Sequence, residues 1–512
     1  MDTYYRSEWT CGRFNFEKEV AICYNLIEGM VYLFEDASAI VVGEILKAGR
    51  NNCINLRKIS ARLNIDEPVL VPFLEDLARI GVISTKVPTK KVITQYRANL
   101  KRYRIQTAQT SVRRLQKSSV LINHDDVEMK YMERCGGIFS LMIEMTYNCS
   151  EKCIHCYNPG ATRNDTEKSG RMTETPLSLS EYKRVIDEMD AQGLVKVCLT
   201  GGDPFSNPLT WDVIEYLWEK EIAIDIFTNG QKLNGQAERL ASYYPRTVGI
   251  SLYSNIESIH DGITRVRGSY KRTMAFIKDC SDLAMPMLLK CCIMKPNVSS
   301  YFTVKEVAYE YGMTPQFDLN ITDSLDGDIC ASKYLRLDHG QIEIVLRDSD
   351  LPYYIDGTKD LLIEKLPIQN EQMCNAGINS ICLTPSGDIQ PCCAFPMKCG
   401  NIRQSSISAI LDSPQLRQWK SHSITDCNEC LTHPYCIFCQ LCAGNNFNST
   451  GDYLKPSENN CFLAKERYEL SLAMKRGYDP LNGESLQTRL SELNCAVPQL
   501  HRVKGERINV VS

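Results

Sequence analysis

The sequence predicts an α/β protein: a partial (β/α)6 barrel with a small winged-helix-like domain before it and a cysteine-rich domain after it. Three observations predict this. Short strand-like runs at 139–144, 195–199, 222–227, 248–253, 287–294 and 316–321 alternate with longer amphipathic segments, the rhythm of βα units around a parallel sheet. Ahead of them, two apolar runs at 20–25 and 30–34 meet at Glu28-Gly29 and precede helical patterns. Behind them, from Cys374 to Cys461, cysteines crowd together and periodicity fades, as in a small domain stapled by metal.

In chain order, residues 1–85 form the first domain, a hairpin followed by helices. Asp36 is placed to cap the first helix, and Val69, Leu70, Phe73, Leu74 and Leu77 form the apolar stripe of a later one that stops at Gly81. Residues 86–138 read as a basic linker. Lys90, Lys91, Arg97, Lys101, Arg102, Arg104, Arg113 and Arg114 occur between positions 86 and 117 without one acidic residue, which suits a solvated spacer or helix, or an electrostatic guide for an acidic peptide. The barrel follows over 139–330, a connecting segment over 331–373, the cysteine-rich domain over 374–465 and a polar, peripheral tail over 466–512.

A chain of 512 residues needs more than one domain. Its 43% hydrophobic and 23% charged residues and net charge of -4 are those of a soluble protein with neither a nucleic-acid nor a membrane surface. The first residues lack the pattern of a secretory signal, and no apolar run is long enough to span a bilayer. A cytoplasmic protein is expected. In that reducing setting 24 cysteines argue for metal or redox work rather than disulfides.

Cys149, Cys153 and Cys156 are spaced C-x3-C-x2-C directly after the first barrel strand, with Tyr157 next. Three thiolates on one loop can hold three irons of a [4Fe–4S] cluster and leave the fourth free for a small molecule. A zinc knuckle with His155 as fourth ligand is the competing reading. The run resembles that of the radical S-adenosylmethionine (SAM) superfamily, whose TIM-like partial barrel binds SAM at the free iron and cleaves it. Gly201-Gly202-Asp203-Pro204 after the second strand resembles that family's GGEP motif, which implies a hold on the SAM ammonium; Asp stands where Glu is commoner. Thr228-Asn229-Gly230 and Ser251 resemble positions near the SAM ribose and carboxylate. His260-Asp261, Arg265, Arg267 and Gly268 recur in relatives, without a chemical role that spacing supplies. Cys291-Cys292, Cys198 and Cys280 read as small hydrophobes.

Cys374, Gly387-x4-Cys392, Cys427-x2-Cys430-x5-Cys436, Cys439, Cys442 and Cys461 resemble the SPASM extension of these enzymes, which implies two auxiliary [4Fe–4S] clusters. The resemblance puts Cys374, Cys392 and one of Cys439 or Cys442 on the first, and Cys427, Cys430, Cys436 and Cys461 on the second. Gln440 occupies the position where the family has cysteine, so Cys439 and Cys442 stay open as alternatives, and Cys382, Cys393 and Cys135 are the candidates to complete the first cluster. Zinc ribbons are the competing reading here. The first domain resembles PqqD-like elements, which bind the leader of a ribosomally made precursor peptide as an added strand; a DNA-binding winged helix is the alternative. Together the resemblances imply a peptide maturase that forms thioether crosslinks, fed by an electron donor such as flavodoxin or ferredoxin. Carbon–carbon crosslinking, epimerisation, other residue oxidation, and a zinc-binding DNA-binding regulator are the alternatives.

Overall fold

A computed structural model describes residues 3–114, 124–158, 175–325, 330–356, 372–427, 429–493, 499–501 and 509–511. β1 (Tyr5–Arg6) pairs with β5 (Ile83–Ser84), and between them lie three antiparallel strands, β2 (Thr10–Asn15), β3 (Val20–Asn25) and β4 (Met30–Glu35), then helices α1 (Asp36–Lys47), α2 (Leu56–Leu63) and α3 (Glu67–Arg79). The predicted hairpin is β3–β4. The additional strand β2 escaped notice because Gly12, Arg13 and Asn15 break its apolar pattern. Asp36 does not cap α1: it is the first helical residue, held at φ 54° in the corner out of β4, and Glu35 occupies the cap position.

Of the readings of the basic stretch, the helix is the one present. Residues Lys90–Arg114 form one helix, α4, followed by α5 (His124–Cys135). Arg97 donates to the carbonyls of Leu283 and Ala241, and Arg104 to those of Ala284, Ile27 and Glu28. Arg97 thus ties α4 to the barrel and Arg104 ties it to both the barrel and the first domain, which removes these two cations from any guide for an acidic peptide. The side chains of Arg113 and Arg114, and Lys117 entirely, lie outside the described residues.

Six parallel strands follow in sequence order: β6 (Ser140–Thr146), β7 (Lys196–Gly201), β8 (Ala223–Thr228), β9 (Thr247–Ser251), β10 (Met287–Cys292) and β11 (Thr314–Asp318). Helices α6 (Leu179–Asp190), α7 (Thr210–Glu219), α8 (Ala237–Ala241), α9 (Glu257–Thr264), α10 (Ser269–Asp282) and α11 (Phe302–Glu310) connect them. All six predicted strands are present. α12 (Cys330–Leu335) and α13 (His339–Val345) lead into the cysteine-rich part, whose strand β12 (Ser380–Leu383) pairs in parallel with β6. β13 (Asp388–Gln390) and β14 (Gly400–Asn401) extend the same sheet to nine strands. The cysteine-rich part is thus joined to the barrel by backbone hydrogen bonds and by a shared core in which Leu141 and Ile143 of β6 belong to one cluster with Ile381, Phe395 and Trp419.

Helices α14 (Ile407–Leu411), α15 (Pro414–Ser421), α16 (Ala443–Thr450) and α17 (Glu458–Lys475) complete the region. The boundary drawn at 465 falls inside α17, and the tail beyond it is not wholly peripheral. Leu490 of α18 (Leu486–Ser491) is fully buried in the main core, where α18 packs on α13.

The first domain is seated on the barrel floor. Trp9, Ile22 and Tyr24 share a core with Phe139, Val195 and Ala223, residues at or just before the starts of β6, β7 and β8. Arg6, fully buried, donates to the carbonyls of Leu46, Ala48 and Thr10 and to both oxygens of Glu221. Among the described residues no helix is long and apolar enough to cross a membrane.

Candidate functional site

The C-terminal ends of the barrel strands open onto a chamber of about 530 Å³. Cys149, Cys153, Cys156 and Tyr157 line it, together with Gly201, Gly202, Thr228, Asn229 and Ser251 from the strand ends. The residues of the three-cysteine loop and of the motifs after β7, β8 and β9 that the sequence singled out are therefore gathered here, except Pro204 and Gly230, which do not line the chamber, and Asp203, which is completely buried. Its carboxylate accepts hydrogen bonds from the Thr228 hydroxyl at 2.6 Å and from the backbone N–H of Asn229 at 3.1 Å and Phe205 at 3.0 Å. Burial holds its pKa above the usual range despite these donors. It fixes the Thr228 turn, and the chamber face of the motif is left to Gly201 and Gly202.

The cysteine loop is clasped from several sides. Lys152 and Ile154 donate their N–H groups to the carbonyls of Thr264 and Ile263, at the end of α9. Asp261 in turn accepts from the N–H groups of Gly268 and Tyr270 and from the Ser269 hydroxyl, locking α9 to α10. His260 accepts the N–H of Tyr253 on Nδ1 and stacks on that ring. These contacts give His260, Asp261 and Gly268 a structural role that spacing did not show. Arg265 ends α9 in the left-handed conformation.

Donors also converge on sulfur. Asn229 Nδ2 lies 3.3 Å and the Glu151 N–H 3.4 Å from Cys149 Sγ, and the Tyr253 hydroxyl lies 3.9 Å from Cys153 Sγ. Burial pushes the Cys149 thiol up to about 12 and the Glu151 carboxyl up to about 8. His155 is depressed to about 4 by burial, and neither its Nδ1 nor Glu151 Oε1 has a partner in the structure. Among the described residues no three His, Cys, Asp or Glu side chains are drawn in tightly enough to hold a metal ion as they stand. The loop cysteines instead stand around a roomy cavity with unpartnered polar atoms beside it, which fits a group larger than one ion.

Sequence reasoning missed Glu151, Tyr253, Lys290, Cys292 and Asp318 on the chamber wall. The alternation of β10 was a usable signal for two of them. Met287, Leu289 and Cys291 are buried outward, so Lys290 and Cys292 face the barrel interior. Cys292 is half-buried: it packs against the cluster of Ile154, Tyr253 and Met294 and also lines the chamber. Cys198, Cys280 and Cys291 are buried as expected.

The remaining cysteines fall into two groups. Cys430, Cys436, Cys439 and Cys461 line a cavity of about 40 Å³; Cys427 sits beside Cys430, its Sγ 2.8 Å from Met373 Sδ. Cys374, Cys392 and Cys442 form the other group. Burial, then the thiols of Cys393, Cys442 and Cys374, hold the Cys392 thiol far above its ordinary value, and backbone N–H groups of Ala376 and Asn445 reach the sulfurs of Cys374 and Cys442 at 3.3 and 3.5 Å. Cys439 and Cys442, alternatives by spacing, thus face different groups. Cys382 and Cys393 adjoin Cys392, and the Tyr157 hydroxyl donates to Cys393. Cys135 is excluded from both: it packs beside Tyr131 in the core beneath the barrel floor.

Residues 143–296 match the Radical SAM superfamily and residues 374–431 the SPASM iron–sulfur cluster-binding domain. The antilisterial bacteriocin subtilosin biosynthesis protein AlbA of Bacillus subtilis is 26% identical over 334 residues, covering 63% of this chain and 70% of that one. The AdoMet-dependent heme synthase of Methanosarcina barkeri is 22% identical over 332 residues, 61% of this chain and 93% of that one. In fold, the crystal structure of Streptococcus suis SuiB bound to precursor peptide SuiA matches with a TM-score of 0.53 at 14% identity, over 90% of this chain and 99% of that one.

Proposed function

We propose that this chain, an enzyme carrying a radical SAM domain and a SPASM iron–sulfur domain, modifies a ribosomally synthesised precursor peptide by forming thioether crosslinks. The observation that carries the reading is the chamber: three loop cysteines line a space of about 530 Å³ at the strand ends, and the cysteine-rich region is built onto the same sheet. AlbA is by name a bacteriocin biosynthesis protein, and SuiB was solved with its precursor peptide, which supports a peptide as substrate. With iron–sulfur domains matched, the zinc-binding regulator has no support.

In this reading Cys149, Cys153 and Cys156 hold the SAM-binding cluster. When bound, cluster and SAM supply a 5′-deoxyadenosyl radical that takes a hydrogen atom from carbon. Asn229 and the loop N–H groups steady the sulfurs. The backbone of Gly201 and Gly202 offers carbonyls to the SAM ammonium, while Tyr157, Thr228 and Ser251 bound its remaining space. Cys374, Cys392 and Cys442 hold the first auxiliary cluster; Cys430, Cys436 and Cys461, with Cys427 or Cys439, hold the second. Closing one carbon–sulfur bond removes two hydrogens from the peptide, one as an atom and one as a proton with an electron; the auxiliary clusters would supply an acceptor for that electron, and a donor such as flavodoxin or ferredoxin would supply the reducing electron for SAM. β4 pairs only with β3 among the described strands, so its free edge, beside α3 through the Phe34–Phe73 contact, is where a leader would add as a strand.

The test is anaerobic reconstitution and reduction of the enzyme with the peptide encoded beside it. Expected are 5′-deoxyadenosine and a peptide mass loss of two hydrogens per crosslink, both absent in Cys149→Ala. Absence of deoxyadenosine overturns the radical reading; deoxyadenosine with an unchanged peptide mass overturns thioether formation.

A further inference from the structure

The chamber and the cavity of Cys430, Cys436, Cys439 and Cys461 are separate spaces, yet one small cleft touches both. Asn320 and Tyr353 line the chamber; the same two residues, with Asn460 and Gln440, line a cleft of about 10 Å³. Asn460 also lines the cysteine cavity, as does Asn446. Gln440, standing where the family has a cysteine, thus borders the passage rather than either thiol group.

A chain of carboxamides runs along this line. Asn459 Nδ2 donates to Asn320 Oδ1 at 2.6 Å, and Asn320 Nδ2 to Asn460 Oδ1 at 3.5 Å. Asn445 Nδ2 reaches the same Asn460 oxygen at 3.4 Å, and Asn460 Nδ2 reaches Asn446 Oδ1 at 3.4 Å. The four asparagines of α16 and α17 are at most 6% exposed, and Asn445 Oδ1 is buried without a partner. Filling a helix interface with amides is expensive unless they are paired; Asn446 is paired structurally, with the Ser457 N–H and the Tyr453 carbonyl, whereas the side chains of Asn445, Asn459 and Asn460 are bonded to other carboxamides. A carboxamide carries a donor and an acceptor on a torsion with two broad wells; turning one reverses what it offers the next. None of the five titrates, so the network passes on orientation rather than charge.

We propose that this network is a positioning device: Asn446 is a fixed anchor, held by the Ser457 N–H and the Tyr453 carbonyl, and the hydrogen bonds made at Asn320 on the chamber wall set the orientation of the Asn460 amide on the wall of the second cysteine cavity, and with it the reduction potential of the iron–sulfur cluster held there. Hydrogen bonds to cluster sulfurs are among the factors that fix such potentials. The inference goes beyond peptide modification and rests only on an auxiliary cluster at Cys430, Cys436 and Cys461.

The experiment is a redox titration, followed by electron paramagnetic resonance, of the full chain with reconstituted clusters. The signal of the second auxiliary cluster is the one lost on Cys461→Ala. Asn460→Leu, which removes a donor from the cavity wall, lowers its midpoint potential. Asn320→Leu, remote from that cavity, shifts the same potential and leaves that of the SAM-binding cluster where it was. If iron content shows that Asn320→Leu does not load its clusters, Asn320→Asp replaces it, since it keeps the bond from Asn459 and loses the one to Asn460. An unchanged auxiliary potential in the Asn320 variant overturns the proposal, as does an equal shift of both clusters. Failure of wild-type protein to take up auxiliary iron would instead refute the cluster assignment, a separate result from the peptide assay.

Discussion

Gly202 has no room for a side chain: a Cβ there would lie 2.5 Å from the carbonyl oxygen of Asn148 and 2.6 Å from that of Tyr147. Both neighbours are backbone leading into Cys149, so Gly202→Ala must displace the cysteine loop. The expected result is loss of most iron from the SAM-binding site with auxiliary iron retained, read by iron analysis against Cys149→Ala. Asp203 makes a subtler case. Its carboxylate is spent on Thr228, Asn229 and Phe205, and Asp203→Ala releases the turn that bounds the chamber. Each lost hydrogen bond costs the folded turn about 1 kcal/mol, so SAM should bind more weakly to the loosened site, with cluster content unchanged; equilibrium binding decides it. The motif was legible in sequence, but spacing does not tell which way a carboxylate turns. Likewise Glu151 and Lys290 sit in ordinary-looking runs, and only strand alternation and burial bring them to the wall.

At the scale of elements, α6 carries the joint between barrel and cysteine-rich region. Arg403, just after β14, donates to Glu181 at 2.6 Å; Arg184 reaches the Ile402 carbonyl, and Glu188 takes the N–H of Ile407. The Arg403 hydrogen bond, opposed by partial burial and helped by the Ser178 cap, holds the Glu181 carboxyl down from 4.5 to about 2. A depressed carboxyl stabilises the folded state above its unfolded value and loses that contribution as the pH falls through its folded one. The thermal midpoints of wild type and Arg403→Ala, compared on cluster-free protein, should therefore differ at pH 6 and converge as the pH drops from about 4.5 toward 2. A gap that persists through that window would assign the joint to packing alone. Five of the six barrel strands could be read from the sequence as largely apolar runs of five to seven residues; β11, Thr-Pro-Gln-Phe-Asp, with only Phe317 buried, was legible from the rhythm of the βα units rather than from its own pattern. β12 could not, since its four residues sit among cysteines and only pairing with β6 makes them a strand.

At the scale of the molecule, the first domain is fixed to the barrel floor rather than tethered to it. Arg6 is the clearest rivet. Arg6→Met strands three carbonyls and Glu221, and a buried hydrogen-bonded charge removed from one side costs about 3 kcal/mol; the urea midpoint should fall accordingly, and a change under about 0.5 kcal/mol would deny the rivet its role. The seat on the floor also sets a length. The β2–β4 sheet shares its core with the strand starts, while the chamber opens at the strand ends, a six-residue strand such as β7 away. At about 3.3 Å per residue that is roughly 20 Å through the barrel, and further around it. A leader docked at β4 must then be followed by a spacer of at least about six extended residues before the first residue that can react. Peptides with progressively shortened spacers should be modified normally down to that length and then abruptly cease, as tandem mass spectrometry would register. The enzyme would choose its target by counting: what precedes the modified residue matters through its length, and the barrel is the measuring stick.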